Sequence, residues 1–105
     1  MKLADLPAEE QRVCDLVREQ ALRCLGESQA YGLYLVGSRA TGESWPTSDF
    51  DFVIDAGGPL PGKVINPFRE ALDHLRIPYA IDLVDWHRCS DAFRELAGAQ
   101  KVEVG

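Results

Sequence analysis

The sequence lacks the features that mark membrane, secreted and repeat proteins. No apolar run approaches the length of a membrane span, and the acidic segment after Met1 has no apolar signal core, so we expect a cytoplasmic protein. No repeat or low-complexity segment is present, which excludes solenoids and disordered tails. With 105 residues the chain is expected to form one domain over residues 1–105, with no separate recognition domain.

Cysteine and basic residues are also scarce. The three cysteines, Cys14, Cys24 and Cys89, form no C-x-x-C pair, which argues against a disulfide framework or a zinc site and predicts reduced, partly buried thiols. Lys and Arg number 11 against 17 Asp and Glu, and the net charge of −6 argues against direct nucleic-acid binding. The 46% hydrophobic content is ordinary for a globular domain with one core.

Apolar periodicity and turn residues predict six elements, in the order helix, strand, strand, helix, strand, helix. They are a helix over Pro7–Leu25, strands over Tyr31–Val36 and Phe50–Asp55, a helix from Asn66-Pro67 or a few residues earlier, a strand over Tyr79–Val84, and a helix capped by Ser90 and ended by Gly98. The polar residues 37–48 contain glycine and proline and predict a loop. This order indicates a small α/β domain.

Three carboxylates occupy positions where a strand would ordinarily carry other residues. In an extended segment Asp49 and Asp51 project to one face while Phe50 projects to the other. Asp82 interrupts the apolar strand Tyr79–Val84, where a core strand would not carry a charge. If the strands form one sheet, the three carboxylates share a face and an end. Hard oxygen ligands of this kind suit Mg²⁺, so the sequence predicts a metal-binding cluster there.

A turn at Gly37-Ser38 precedes this acidic pair. Gly37 has no Cβ, so a phosphate can approach the backbone, and the N–H groups and the Ser38 hydroxyl can bond its oxygens. Arg39 either offsets charge on a bound triphosphate or is a solvated or structural charge. Gly-Ser alone has no specificity, but together with the carboxylates it indicates nucleotide chemistry.

These residues form three segments with a recognisable spacing. They are Gly37-Ser38-Arg39-Ala40-x-Gly42, Ser48-Asp49-x-Asp51-x-x-Ile54 and Ile81-Asp82-Leu83-Val84-Asp85-Trp86. From about Tyr31 onward the chain resembles the minimal nucleotidyltransferase family of the DNA polymerase beta-type superfamily. The resemblance implies an α/β (α+β) fold with a short mixed sheet of three to four strands packed with helices. It also implies that Asp49, Asp51 and Asp82 bind Mg²⁺ or Mn²⁺, and that Gly37 and Ser38, with Arg39, bind nucleotide phosphates.

The resemblance further implies an activity and a partner. Members of this family transfer a nucleoside monophosphate, here expected to be AMP from ATP, to a hydroxyl acceptor. Small members bind a helical HEPN-domain protein that is often a toxin, and they act as the antitoxin by adenylylating it. We therefore expect a HEPN-type partner or, alternatively, a homodimer that completes the recognition surface. The second hypothesis is a non-catalytic protein that neutralises its partner by stoichiometric binding.

Other uses of the same acids fit less well. A calcium loop starting at Asp49 would need an oxygen ligand at Val53, glycine at Ile54 and an acid at Leu60, so it is excluded. An aspartyl phosphatase or a sugar-nucleotide transferase with an Asp-x-Asp motif needs a longer chain.

The remaining polar candidates are expected to lie outside the site. Asp55 lies at the far end of its strand and is predicted to be solvated, whereas Asp85 is predicted to cap a loop. His74 and His87 have no paired base or nucleophile and are predicted surface residues. Trp86 is interpreted either as core or as part of a partner surface.

Overall fold

A computed structural model describes residues 2–26 and 30–105 of the chain. This part contains four α-helices and four strands. The helices are α1 (Ala8–Leu25), α2 (Ser38–Thr41), α3 (Gly62–Asp73) and α4 (Asp91–Gln100), and the strands are β1 (Gly32–Val36), β2 (Phe50–Asp55), β3 (Ile81–Asp85) and β4 (Val102–Glu103). Within these residues no helix is long and apolar enough to cross a membrane.

The strands form one mixed sheet in the order β3-β2-β1-β4. β1 runs antiparallel to both β2 and β4, whereas β2 and β3 are parallel. The end of β1 therefore lies beside the beginnings of β2 and β3, at one end of the strands. There Asp51 is opposite Val36 of β1 on one side and opposite Asp82 of β3 on the other. The predicted fold class, with a short mixed sheet and packed helices, is confirmed.

Successive side chains of β2 point to opposite faces of the sheet, and each face packs against its own apolar cluster. Phe50 and Phe52 are fully buried in the larger core, which α1 and α3 cover. Val53 lies on the other face, in a smaller cluster with Val36 and Ala97 of α4. Full burial of one such large apolar side chain contributes about 1.5–3 kcal/mol, so the first layer supplies most of the stability. The second face is thinner and leaves room for a site.

Several element boundaries differ from the sequence prediction. Residues 38–41, predicted as loop, form the single helical turn α2. Helix α3 starts at Gly62 after the N-cap Pro61, so Pro67 lies inside it rather than at its start, and the earlier of the two predicted starts is the observed one.

The last helix and the final strand also differ. The Ser90 hydroxyl accepts a hydrogen bond from the Phe93 N–H at 3.1 Å, which confirms the predicted cap. Gly98 does not end the helix, because the helical hydrogen bonds continue until the Lys101 N–H donates to the Ala97 carbonyl at 2.9 Å. β4 was not predicted, because two residues carry too little periodicity to be recognised.

The cysteines are free thiols in the described part of the chain. Cys14 is buried, and burial raises the pKa of its thiol to about 12, so it stays protonated. Cys24 and Cys89 are half-buried. The predicted burial of the thiols is confirmed, and their reduced state stays a prediction.

Candidate active site

Three carboxylates lie at the end of the sheet where β1 ends and β2 and β3 begin. Asp51 and Asp82 are directly opposite each other in the parallel β2–β3 pair. Asp49 immediately precedes β2. Asp49 and Asp82 are exposed, and Asp51 is half-buried. We call this end, with Asp49, Asp51, Asp82 and Gly37, the carboxylate end of the sheet.

No other side chain in the described part of the protein compensates the negative charge at the carboxylate end. Burial raises the pKa of Asp51, and the neighbouring charges of Asp82 and then Asp49 raise it further. Across residues 2–26 and 30–105, none of these three side chains accepts a hydrogen bond or pairs with a cation. Such a group of like charges is typical of a site that receives its counter-charge from a ligand.

Gly37 is required at this end for two reasons. Its φ of 77° is left-handed, and a Cβ there would lie 2.8 Å from Oδ2 of Asp51. The Gly37 carbonyl accepts hydrogen bonds from the N–H groups of Ala40 and Thr41, which closes the turn of α2. The first N–H groups of a helix have no acceptor within it, and in α2 they belong to Ser38 and Arg39. Backbone donors therefore lie next to the carboxylates.

The structure places Arg39 away from this surface. Its guanidinium is buried, with Nη1 2.7 Å from Oε1 of Glu10 and Nη2 2.8 Å from the Ser48 carbonyl. It also lies over the Phe50 ring, 4.4 Å from the centroid, and over the Tyr79 ring at 4.8 Å. The nucleotide-binding role expected for Arg39 is therefore not supported. The other alternative, a structural charge, describes what is found.

Glu10 is a residue of the site region that sequence reasoning missed. It is buried and forms an ion pair with Arg39, 29 positions later in the chain. Arg39 in turn holds the carbonyl of Ser48, and the Ser48 hydroxyl accepts from the Trp45 N–H at 2.8 Å. This network fixes the turn that leads into Asp49. The available signal was that Glu10 falls on the apolar stripe of α1, at helical spacing from its buried valines.

A cleft opens beside the carboxylates. It has a volume of about 320 Å³ and lies between α4 and the sheet. Asp51 and Asp82 line one side, and Phe93, Leu96 and Ala97 of α4 line the other. We call it the α4 cleft. A larger cleft of about 560 Å³ lies beside β4 and is lined mainly by the chain ends and β4, away from the carboxylates.

Asp55 and His87 form a pair that the sequence did not predict. Asp55 Oδ1 lies 2.7 Å from His87 Nε2 and accepts the Gly57 N–H at 3.0 Å. The Gly57 hydrogen bond, and after it His87, lower the pKa of Asp55, although burial opposes them. The prediction that His87 has no paired base is therefore wrong, whereas the side chains of Asp55 and His87 both stay partly exposed to solvent, at 36% and 28%.

The other outlying residues match one of their interpretations. Asp85 is buried and accepts from the N–H groups of Leu60 and His87, which confirms its capping role. His74 is exposed, as predicted. Trp86 is half-buried and packs on the small cluster around Ala97, in agreement with the core interpretation.

The donor set at the carboxylate end fits a hard divalent cation. The three side chains offer only carboxylate oxygens, no cation among the described residues offsets their charge, and Gly37 leaves space at Asp51. As the side chains stand, no group of three or more His, Cys, Asp or Glu in the described ranges is arranged to hold an ion. The metal site at Asp49, Asp51 and Asp82 stays a prediction.

Comparison with known proteins identifies the family. The sequence profile of the nucleotidyltransferase domain matches residues 17–102. The Haemophilus influenzae protein named "Probable protein adenylyltransferase MntA" is 33% identical over 66 residues, which are 63% of this chain and 58% of that protein. The chain therefore spans less than two thirds of the length of this relative.

Solved structures share the fold. A crystal structure of a toxin–antitoxin with AMP-PNP superposes with a TM-score of 0.66 at 21% identity, covering 91% of this chain and 72% of that one. The toxin–antitoxin MntA-HepT gives a TM-score of 0.58 at 20% identity, with 90% and 71% covered. The profile match includes all three segments that carry the resemblance to minimal nucleotidyltransferases. The chain belongs to the nucleotidyltransferase domain family.

Proposed function

We propose that the chain is a metal-dependent nucleotidyltransferase that transfers AMP from ATP to a hydroxyl group of a partner protein. The observation that carries the proposal is the uncompensated pair of Asp51 and Asp82, opposite each other and next to the Gly37 turn. Family membership supports the reaction type, and the name of the Haemophilus influenzae relative supports adenylate as the transferred group.

The residues at the carboxylate end would divide the work as follows. Asp49, Asp51 and Asp82 would hold Mg²⁺ or Mn²⁺, an ion that offsets the charge of the triphosphate and lowers the pKa of the acceptor hydroxyl. Gly37 gives the phosphates access to the backbone, and the Ser38 N–H and hydroxyl bond their oxygens. Asp82, which is exposed, orients the acceptor hydroxyl.

The chemistry balances without a further reactant. The acceptor oxygen forms a bond to the α-phosphorus of ATP, and its proton passes to the Asp82 carboxylate and from there to solvent. The bond between the α-phosphorus and its bridging oxygen breaks, and pyrophosphate leaves. The buried Glu10–Arg39 pair keeps the turn before Asp49 in place during this exchange.

The acceptor is proposed to belong to a HEPN-type protein for which this chain is the antitoxin. Support comes from the similarity in fold to toxin–antitoxin structures, one of them with AMP-PNP and one of MntA-HepT. Stoichiometric neutralisation without catalysis is the second candidate. It is favoured by one observation, that the carboxylates in the described residues do not stand in a closed metal-binding arrangement.

Transfer of labelled adenylate tests the proposal. The chain is co-expressed with the candidate HEPN-type partner, and ATP labelled at the α-phosphate is added with Mg²⁺ or with a chelator. We expect label on the partner and release of pyrophosphate only with the metal. Asp82→Ala should lower turnover by about 10²-fold or more while partner binding persists. Asp73→Ala, an exposed acid on α3, is the matched control and should have no effect.

The same experiment separates the two candidates. If the Asp82→Ala variant neutralises the partner as well as the wild type does, and intact mass shows no adenylated partner, the protein acts by binding alone. Light scattering on the purified chain, with and without the partner, distinguishes a homodimer from a hetero-oligomer.

A further inference from the structure

We propose that the α4 cleft binds the nucleoside part of the triphosphate, its ribose and base, and that Leu96 and Gln100 determine how tightly and which base is held. The inference rests on the proposed function, because it assumes a triphosphate at the carboxylate end. It adds a subsite on α4, beyond the residues expected from the three sequence segments.

The size and lining of the α4 cleft suit a flat, largely apolar ligand. Its volume of about 320 Å³ lies at the low end of the range for small-molecule sites, about 300–1,000 Å³. Apart from the two carboxylates its walls are mainly apolar, with Val36 and Val84 from the sheet and Phe93 and Leu96 from α4. Leu96 is 60% exposed, so a large apolar side chain faces water directly beside two acids.

The wall formed by α4 is already in place without a ligand. The Ser90 hydroxyl caps the helix at the Phe93 N–H, and Ala97 is buried against the sheet. Arg94 Nε donates to the Trp86 carbonyl at 2.8 Å, which ties the helix to the end of β3. A preformed wall reduces the entropy lost on binding.

The position of the α4 cleft favours the nucleoside over the acceptor. Gly37 and Asp51 also line the α4 cleft, so the cleft is continuous with the place proposed for the phosphates. The ribose of ATP is bonded to the α-phosphate and must therefore lie next to that place. The acceptor does not need the cleft, because Asp49 and Asp82 are exposed and can be approached from solvent. A large partner protein would reach the carboxylates by that open side.

Gln100 is the uncharged polar side chain that α4 contributes to the cleft. A primary amide both donates and accepts a hydrogen bond, and this pair matches the N6 and N7 edge of adenine. A carbonyl at that edge of the base, as in guanine, offers no donor and is a poorer match. Gln100 would therefore favour adenine over guanine.

Binding measurements with two ligands test the subsite. ATP and inorganic tripolyphosphate are titrated by calorimetry, each with Mg²⁺, into the wild type, Leu96→Ser, Gln100→Ala and Leu22→Ser. Leu22 is the matched control, a leucine on α1 that is 57% exposed and does not line the α4 cleft. Serine is uncharged, so the electrostatic attraction for both ligands is unchanged.

The expected results are specific for the nucleoside. The wild type should bind ATP more tightly than tripolyphosphate, and Leu96→Ser should weaken ATP by about fivefold or more without changing tripolyphosphate. Leu22→Ser should change neither. Gln100→Ala should reduce the preference for ATP over GTP.

Contrary results separate the inference from the proposed function. If the wild type binds tripolyphosphate but Leu96→Ser leaves ATP affinity unchanged, or weakens both ligands equally, the nucleoside lies elsewhere and only the inference fails. If the wild type binds neither ligand, the proposed function fails together with the inference. An unchanged preference for ATP over GTP in Gln100→Ala would overturn the role of Gln100.

Discussion

Strands β2 and β3 carry carboxylates at both of their ends, and the two groups of carboxylates differ in whether hydrogen-bond donors and cations contact them. At the carboxylate end, Asp51 faces Asp82 across the strand pair, and Asp49 adds a third negative charge. Burial and then these two neighbours raise the pKa of Asp51. Within residues 2–26 and 30–105 the protein supplies no hydrogen-bond donor or cation to any of the three.

At the opposite end the carboxylates are satisfied. Asp55 accepts the Gly57 N–H and pairs with His87, and these contacts lower its pKa against the effect of burial. Asp85 is 2% exposed, and the N–H groups of Leu60 and His87 both donate to it. The two ends use the same residue type on the same strands, so the difference arises from the loops that pack beside them. Uncompensated charge at one end alone marks that end as the place for a ligand.

The largest expected effect comes from neutralising one carboxylate at each end. Asp51→Asn should lower adenylate transfer by about 10³-fold, because it removes a carboxylate that is proposed to hold the divalent ion at the triphosphate. It should also reduce the rise in Tm that Mg²⁺ and ATP give the wild type. Asp55→Asn should leave both properties near their wild-type values. Equal loss in the two variants, measured by label transfer and thermal melts, would contradict the division between the ends.

Glu10 extends the comparison to a carboxylate that is neutralised by a cation. Glu10→Gln leaves the buried Arg39 charge without its counter-ion, and we expect the free energy of unfolding to fall by about 3 kcal/mol. Glu9→Gln, one position earlier in an exposed pair with Arg12, should lower the free energy of unfolding far less, because solvent screens that pair. Urea denaturation measures both. Similar losses would show that the Glu10–Arg39 pair does not hold the turn before Asp49.

Removing an acid from the third strand should destabilise the fold at one end only. Asp85→Ala leaves the buried Leu60 N–H without an acceptor, so the free energy of unfolding should fall by about 2 kcal/mol. Asp82→Ala removes an exposed acid that has no partner in the described residues, and stability should stay within about 0.5 kcal/mol. Denaturation midpoints of the two variants give the answer, and a larger loss for Asp82→Ala would reverse the assignment.

The smallest expected effect is a difference in sign between two pH profiles. The folded-state pKa of Asp51 is raised, so its contribution to stability is present below its ordinary value of 3.8 and is lost as pH rises through the folded value. The ligand-free Asp51→Asn variant should therefore melt above the wild type at pH 7, with the gap closing in acid.

Asp55 should show the opposite behaviour. Its folded-state pKa is lowered, so its contribution is present above 3.8 and is lost as pH falls through the folded value. Asp55→Asn should therefore melt below the wild type at pH 7. Thermal melts of the metal-free proteins between acid and neutral pH measure both gaps, and gaps of the same sign would show that the two ends do not differ electrostatically.

Local patterns in the sequence were sufficient for most of the fold. The bounds of β2 and its alternation of buried phenylalanines with Asp51 were predicted, because a strand's period of two is written in adjacent residues. The Ser90 cap was predicted for the same reason, since a cap depends on residues one turn apart. α2 and β4 were not, because each is too short to show a period.

By itself the sequence determined which acids and which turn could form a site, because Asp49 and Asp51 alternate with the apolar residues of one strand, Asp82 interrupts a second strand, and Gly37 precedes them in a turn. Only the tertiary structure decided which charged side chains already have a partner within the protein. Arg39 meets Glu10 across 29 positions and Asp55 meets His87 across 32, and no local pattern connects such partners. Burial and partner choice depend on how distant segments pack, and these interactions turned Arg39 inward and left the carboxylate end without a counter-charge from any residue that the structure describes.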